Sequence, residues 1–156
     1  MSRIYQRKLA GVQDERDVAE EAVAYVRDNW YSKSIFDEAG FIEGRTLHEI
    51  MQLVESLDTI FTIRLFAAFE GMLRQHMRQH HPKPAVPEDA GAAFLIDRVA
   101  VSQSVRINIP LCDEVHELRK YRNSLMHPDG VRVMEIPFTV TLARLARYVG
   151  WLPEPK

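Results

Sequence analysis

The sequence predicts an all-α protein, an antiparallel bundle of four to six helices built around a hydrophobic central helix. Two observations lead there. Apolar residues recur at helical spacing in each long segment, and no convincing strand stands between them. Residues from Leu57 to Met77 are apolar in nearly every direction around a helix, the pattern of an element covered on most sides by others. A chain of 156 residues also falls within the usual size of one domain, so residues 1–156 are expected to share one core.

Taken in order, Val12, Ala19, Val23, Val26 and Trp30 share one face of a first helix, with Asp14 as the expected N-cap. Gly40 and Gly44 punctuate a loop. Thr46-Leu47-His48-Glu49 has the form of a capping box, in which Thr and Glu each satisfy a free backbone N–H. Leu47, Ile50, Met51 and Val54 follow on one stripe. The inner helix is expected between about Leu57 and Gln79, carrying Ile60, Phe61, Ile63, Leu65, Phe66, Phe69, Met72 and Leu73. Joined to residues 47–56 it would run for 35 residues, or about 52 Å. A compact chain of this size has a radius of gyration near ~15 Å, which predicts a break or kink near Ser56-Leu57-Asp58. His81-Pro82-Lys83-Pro84-Ala85-Val86-Pro87 is a Pro-rich loop, and Ala92–Ser102 a short helix. Pro110 opens another helix, with Asp113 and Glu114 near its positive end. It runs to His127 and stops at Pro128-Asp129-Gly130. From Pro137 onward, Phe138, Leu142, Leu145, Val149 and Leu152 form the stripe of a last helix. Val131-Arg132-Val133 alternates but is too short to define a strand.

Composition excludes several classes. With 46% hydrophobic and 27% charged residues, the chain is neither disordered nor membrane-embedded in character. No apolar run approaches the ~18–20 residues of a membrane span, and residues 1–8 lack a secretory signal. Cys112 is the one cysteine, which excludes an internal disulfide and fits a reducing, cytoplasmic location. The net charge is −2, unevenly spread: residues 1–60 hold 12 acids and 7 bases, residues 61–156 hold 10 and 13. The C-terminal part is therefore +3 and able to attract phosphates.

Two residues of the penultimate helix are out of the ordinary. On a helix wheel Leu111, Val115, Leu118 and Leu125 lie within ~80° of one another. Arg122 falls in the middle of that stripe. An arginine there needs a carboxylate, a phosphate or a partner chain, because burying it unpaired costs several kcal/mol or more. Glu70 on the inner helix is the candidate for an ion pair. His127 precedes Pro128, which pushes it from helical geometry and sets it among the free carbonyls of a helix end. Histidine is also the side chain whose unperturbed pKa, ~6.5, suits proton transfer near neutrality.

Taken together, Arg122, Asn123-Ser124-Leu125-Met126 and His127 resemble the Arg-x4-His signature of the HEPN (higher eukaryotes and prokaryotes nucleotide-binding) ribonucleases. The polar residue after the Arg is typical of that family. So is the setting, a late helix of an all-α chain, and Leu65-Phe66-Ala67-Ala68-Phe69-Glu70 with Leu73-Arg74 is similar to the family's inner helix. The resemblance covers roughly residues 47–152. It implies a homodimeric endoribonuclease needing no metal and no cofactor, with its cleft where two motif helices meet. Arg122 would hold the phosphate through its planar donor fork. His127 would exchange protons, and Asn123 would orient the phosphate or the imidazole. Arg119 and Lys120 are candidate RNA contacts.

The implied setting is a toxin or defence effector, held by an antitoxin or inhibitor protein. Family toxins paired with a nucleotidyltransferase antitoxin carry Tyr two residues after the His, where this chain has Asp129. Five residues on an unbroken helix place Arg122 and His127 ~140° apart. Convergence thus requires either a distorted last turn or a dimer axis.

Weaker signals remain. His76 and His80 share a face at i, i+4, with His81 beside them, but no third metal ligand is evident nearby. His48-Glu49 does not continue into a zincin motif. Cys112 reads as core and His116 as surface, while Arg144 and Arg147 read as a solvated face. The competing functional reading is a non-catalytic HEPN-like domain that binds nucleotide or protein. A further one is a helical dimer with no ligand.

Overall fold

The computed structural model describes residues 2–29, 47–82, 85–103, 107, 109–127 and 133–155. Among them are five helices and no strand: α1 (Arg3–Asp28), α2 (Leu47–His80), α3 (Ala92–Ser102), α4 (Ile109–Met126) and α5 (Phe138–Gly150). The protein is an all-α helical bundle. Cross-helix pairs give the directions. Lys8 meets Gln75 and Arg16 meets Asp58, so α1 and α2 run antiparallel. Glu114 meets Arg147 and Glu117 meets Arg144, so α4 and α5 do too. No described helix is long and apolar enough to cross a membrane.

The first helix starts far earlier than Asp14. Ser2 is its N-cap, with the hydroxyl accepting from the Tyr5 N–H at 3.3 Å. Nothing between Arg3 and Gln13 breaks a helix, so Asp14 is an interior, exposed residue. Tyr5, Leu9 and Val12 are the residues of α1 that are buried. The same end of α1 is clasped to the end of the chain. The Ser2 N–H donates to the Gly150 carbonyl at 3.1 Å, and the Ser2 hydroxyl and Arg3 N–H both donate to the Glu154 carboxylate, at 3.2 and 2.7 Å.

The expected break at Ser56-Leu57-Asp58 is absent: α2 is one helix of 34 residues. Compactness did not require a break, because α1 is itself 26 residues long and lies against it. The N-terminal turns of α2 run on largely exposed; Met51 and Leu53 are open to solvent and Val54 is half-buried. From Leu57 onward the helix becomes the core, with Leu57, Phe61, Leu65, Phe66, Phe69, Met72, Leu73 and Met77 buried. It is not covered all round. Ile60, Arg64, Ala67 and Gly71 form an exposed strip at i, i+4, i+7 and i+11, bordered by α1 through the Arg64–Glu15 ion pair.

Phe66, Phe69 and Tyr148 meet edge-to-face in that core, with ring centroids 5.5 and 5.6 Å apart. Such contacts add about 0.5–1.5 kcal/mol each to the burial itself. α3 has the expected bounds and buries Leu95, Ile96 and Val99. The buried Tyr148 hydroxyl of α5 donates to the Ile96 carbonyl at 2.7 Å, which locks α3 against α5. α5 buries Phe138, Leu145 and Val149, Leu152 beyond it is also buried, and Leu142 is half-buried. Trp30, Gly40, Gly44, Thr46, Lys83, Pro84, 128–132 and the side chains of Leu47 and Ile50 lie outside what is described.

Candidate functional site

α4 presents Leu111, Val115, Leu118 and Tyr121 to the core, with Leu125 half-buried. Arg122 leaves this stripe towards α2, where its Nη2 is paired with the Glu70 carboxylate. The two side chains are 24% and 19% exposed, so the pair is largely screened from water. Arg122 Nη1 donates to Asn123 Oδ1 at 3.1 Å, and the guanidinium carbon lies 5.3 Å from the centroid of the Phe66 ring. This stacking offsets part of the desolvation. The guanidinium is therefore held from three sides, with its Nε–H enclosed and unpartnered among the described residues.

His127 is exposed at the end of α4. Its backbone N–H donates to the Asn123 carbonyl at 3.0 Å, so the helical ladder continues up to His127. The last turn is therefore not distorted ahead of His127, contrary to one of the two expected routes to convergence. Pro128 constrains the backbone dihedrals of His127 but leaves the turn before it intact. Arg122 and His127 thus lie about 140° apart round the helix axis. Arg119, one turn before Arg122 and on its face, is half-buried, with its Nε enclosed and unpartnered among the described residues. Lys120 is exposed and ~160° round the helix from Arg122.

No protein-family model, curated protein or solved structure matches this chain.

Other polar side chains are placed differently from expectation. Arg147 is paired with Glu114 and Arg144 lies 3.6 Å from Glu117, so the solvated side of α5 also pins it to α4 across their antiparallel seam. His76 is completely buried, with neither ring nitrogen hydrogen-bonded among the described residues. It stacks on His80 at 4.9 Å between ring centroids and tilts against His81 at 5.6 Å. Burial, and then the neighbouring His80 and His81, push its pKa down to about 4. It is a neutral core residue at physiological pH.

His116 is not a bare surface residue. Its Nε2 lies 2.8 Å from Asp97 Oδ1 of α3, and its side chain is 21% exposed. Cys112 is half-buried rather than core, with its sulfur 4.0 Å from the same Asp97 oxygen. Burial, with the charges of Asp97 and Asp113, raises the thiol's pKa, so the free side chain is a protonated thiol at neutral pH. The available sequence signal was the i, i+4 spacing of Cys112 and His116 on α4. Asp97, on another helix, gave none.

Proposed function

We propose that the protein is a metal-independent endoribonuclease whose active site forms where the ends of two α4 helices meet in a homodimer. The observation that supports it most is the state of Arg122. Glu70, Asn123 and the Phe66 ring hold its guanidinium still, one turn and a half before an exposed histidine. A fixed planar cation and, from a second copy, a solvent-facing imidazole suit phosphoryl chemistry, because little rearrangement of the cation is needed as charge develops. The ~140° divergence within one protomer favours a cleft shared by two copies. Exposed apolar residues at this end of the bundle, Met126, Met134 and Val140, offer surface for such a contact.

In this mechanism one His127 removes the proton of a ribose 2′-hydroxyl. The oxygen attacks the adjacent phosphorus, the bond to the 5′-oxygen breaks, and the second copy of His127 protonates that leaving oxygen. The products are a 2′,3′-cyclic phosphate and a 5′-hydroxyl. Arg122 and Asn123 hold the phosphate as charge accumulates, Arg119 and Lys120 are candidate contacts to flanking RNA, and Glu70 positions Arg122. Each proton-transfer group contributes about 10²–10⁴ in rate. The reading fits a cytoplasmic toxin or defence effector restrained by an antitoxin or inhibitor protein.

One observation favours a second reading, a non-catalytic dimer that binds nucleotide or protein. Two Arg122 nitrogens are already engaged by Glu70 and Asn123, as a purely structural arginine would be. Incubating the purified chain with mixed RNA in chelator, and analysing the product ends, separates the two. Cyclic-phosphate ends that disappear with His127→Ala are expected of the nuclease. Intact RNA with retained nucleotide binding would establish the second reading.

A further inference from the structure

We propose that Asp97, Cys112 and His116 form a binding site for one zinc-class divalent cation, clamping α3 to α4. Cys112 and His116 lie one turn apart on the same face of α4, and Asp97 approaches them from α3. One donor atom from each lies within 4.8 Å of the other two. A tetrahedral zinc site, with bonds of about 2.0–2.3 Å, requires donor atoms about 3.3–3.6 Å apart. The observed 2.8 Å between Asp97 and His116 and 4.0 Å between Asp97 and Cys112 bracket that spacing. Shifts of about half an ångström, within the reach of side-chain torsions, bring these two spacings to it, and the Cys112–His116 pair starts within 4.8 Å.

The arrangement does not fit a cysteine nucleophile. A relay needs the imidazole between thiol and carboxylate, using a different ring nitrogen for each. Here both His116 Nε2 and the Cys112 sulfur approach the same oxygen of Asp97, so the donors converge on a point. Convergence is what a metal ion requires. A thiolate and an imidazole together select zinc-class ions over magnesium or calcium, which take oxygen ligands.

The surroundings suit such an ion. The three donors line a cavity of about 690 Å³ whose other walls include Val101, Ile107 and Ile109. With three protein ligands, the fourth position opens into this cavity, as in zinc sites that keep a water or exchangeable ligand. Asp97 is held from behind, because the carbonyl of its neighbour Ile96 accepts the buried Tyr148 hydroxyl. Cys112 and His127 are 15 residues apart on one helix, or about 22 Å. The ion is therefore remote from the proposed nuclease chemistry and takes no part in it.

The test uses the full untagged chain, stripped with chelator, dialysed and titrated with Co²⁺ and then Zn²⁺. One Co²⁺ per chain is expected, with a thiolate-to-cobalt charge-transfer band in the near ultraviolet that Zn²⁺ abolishes. Cys112→Ser should remove the band. Asp97→Asn and His116→Gln should each weaken Zn²⁺ binding at least tenfold, measured by competition with a chromophoric chelator. Circular dichroism of the metal-free variants should match the wild type. Absence of the band at saturating Co²⁺ would overturn the proposal. So would unchanged Zn²⁺ affinity in all three variants, or uptake lost with His80→Ala instead, which would assign the metal to the histidine cluster.

Discussion

Glu70 and Arg122 form an ion pair across the interface between α2 and α4, roofed by the Phe66 ring and enclosed enough to be poorly solvated. Removing one partner strands a charge in a largely buried place, whereas removing both does not. Glu70→Gln should therefore destabilise the fold by about 2–3 kcal/mol, less than for a fully buried pair because these side chains keep some water contact. Adding Arg122→Met should recover a good part of the loss. Urea unfolding of the two single variants and the double variant measures this. Strict additivity would mean that the pair is not coupled.

Arg122→Ala and His127→Ala should each abolish RNA cleavage. The double variant should be no worse than either, because both groups serve one transition state. Asn123→Ala should retain more activity than either. His127→Ala should cost stability no more than a helix-end interaction, about 1 kcal/mol or less. Chelator should leave the wild-type rate unchanged. A folded, dimeric His127→Ala protein that cuts RNA at the wild-type rate would end the nuclease reading.

Assembly is testable through the exposed apolar residues near His127. Met126→Glu with Met134→Glu should split the proposed dimer in light scattering while leaving helix content intact. Cleavage should be lost in parallel, since each protomer alone directs Arg122 and His127 apart. A wild-type chain that scatters as a monomer at working concentration would remove the shared cleft.

The buried His76 gives the fold a particular response to acid. Its pKa in the folded chain is depressed to about 4, whereas in the unfolded chain it is near the ordinary ~6.5. Above both values the residue is neutral in both states and contributes no pH dependence. Between them the unfolded chain takes up a proton that the folded chain refuses, so stability falls as pH drops from about 6.5 towards 4. His76→Met should flatten this part of the profile. It should also stabilise the neutral protein by about 1–3 kcal/mol, by removing unpartnered buried polar atoms. Denaturation midpoints at pH 7 and pH 5 compare the two proteins directly.

Where apolar spacing reports burial directly, the sequence was readable: α3 has its expected bounds, α5 its expected stripe, and the core of α2 lies between Leu57 and Met77. Starts and breaks were not. Asp14 is as good a capping residue as Ser2, and only the contacts of the chain end with Gly150 and Glu154 select the latter. The length of α2 depends on α1 lying against it, which no local pattern encodes. At the motif, the in-line position of Arg122 was visible on a helix wheel, but the undistorted last turn was not, because Pro128 restricts the residue before it without forcing the helix to end early. Asp97 carries no local signal, since it joins Cys112 and His116 only through the crossing of two helices.

The clasp of Ser2 and Arg3 with Gly150 and Glu154 has a practical consequence for attaching other molecules to the chain. α5 is 13 residues long, or about 20 Å, and it carries the clasp at its far end from Phe138. Phe138 is the end that Arg16 of α1 covers, at 5.1 Å from its ring centroid, and α4 arrives there with His127. Labels, surface tethers or fluorescent proteins joined before Ser2 or after Glu154 therefore depart together from the pole opposite His127. Either attachment leaves that pole free for the RNA and the second copy that the proposed function requires. A donor–acceptor dye pair placed beside Ser2 and Glu154 should report loss of the clasp as the first visible step of unfolding from that pole.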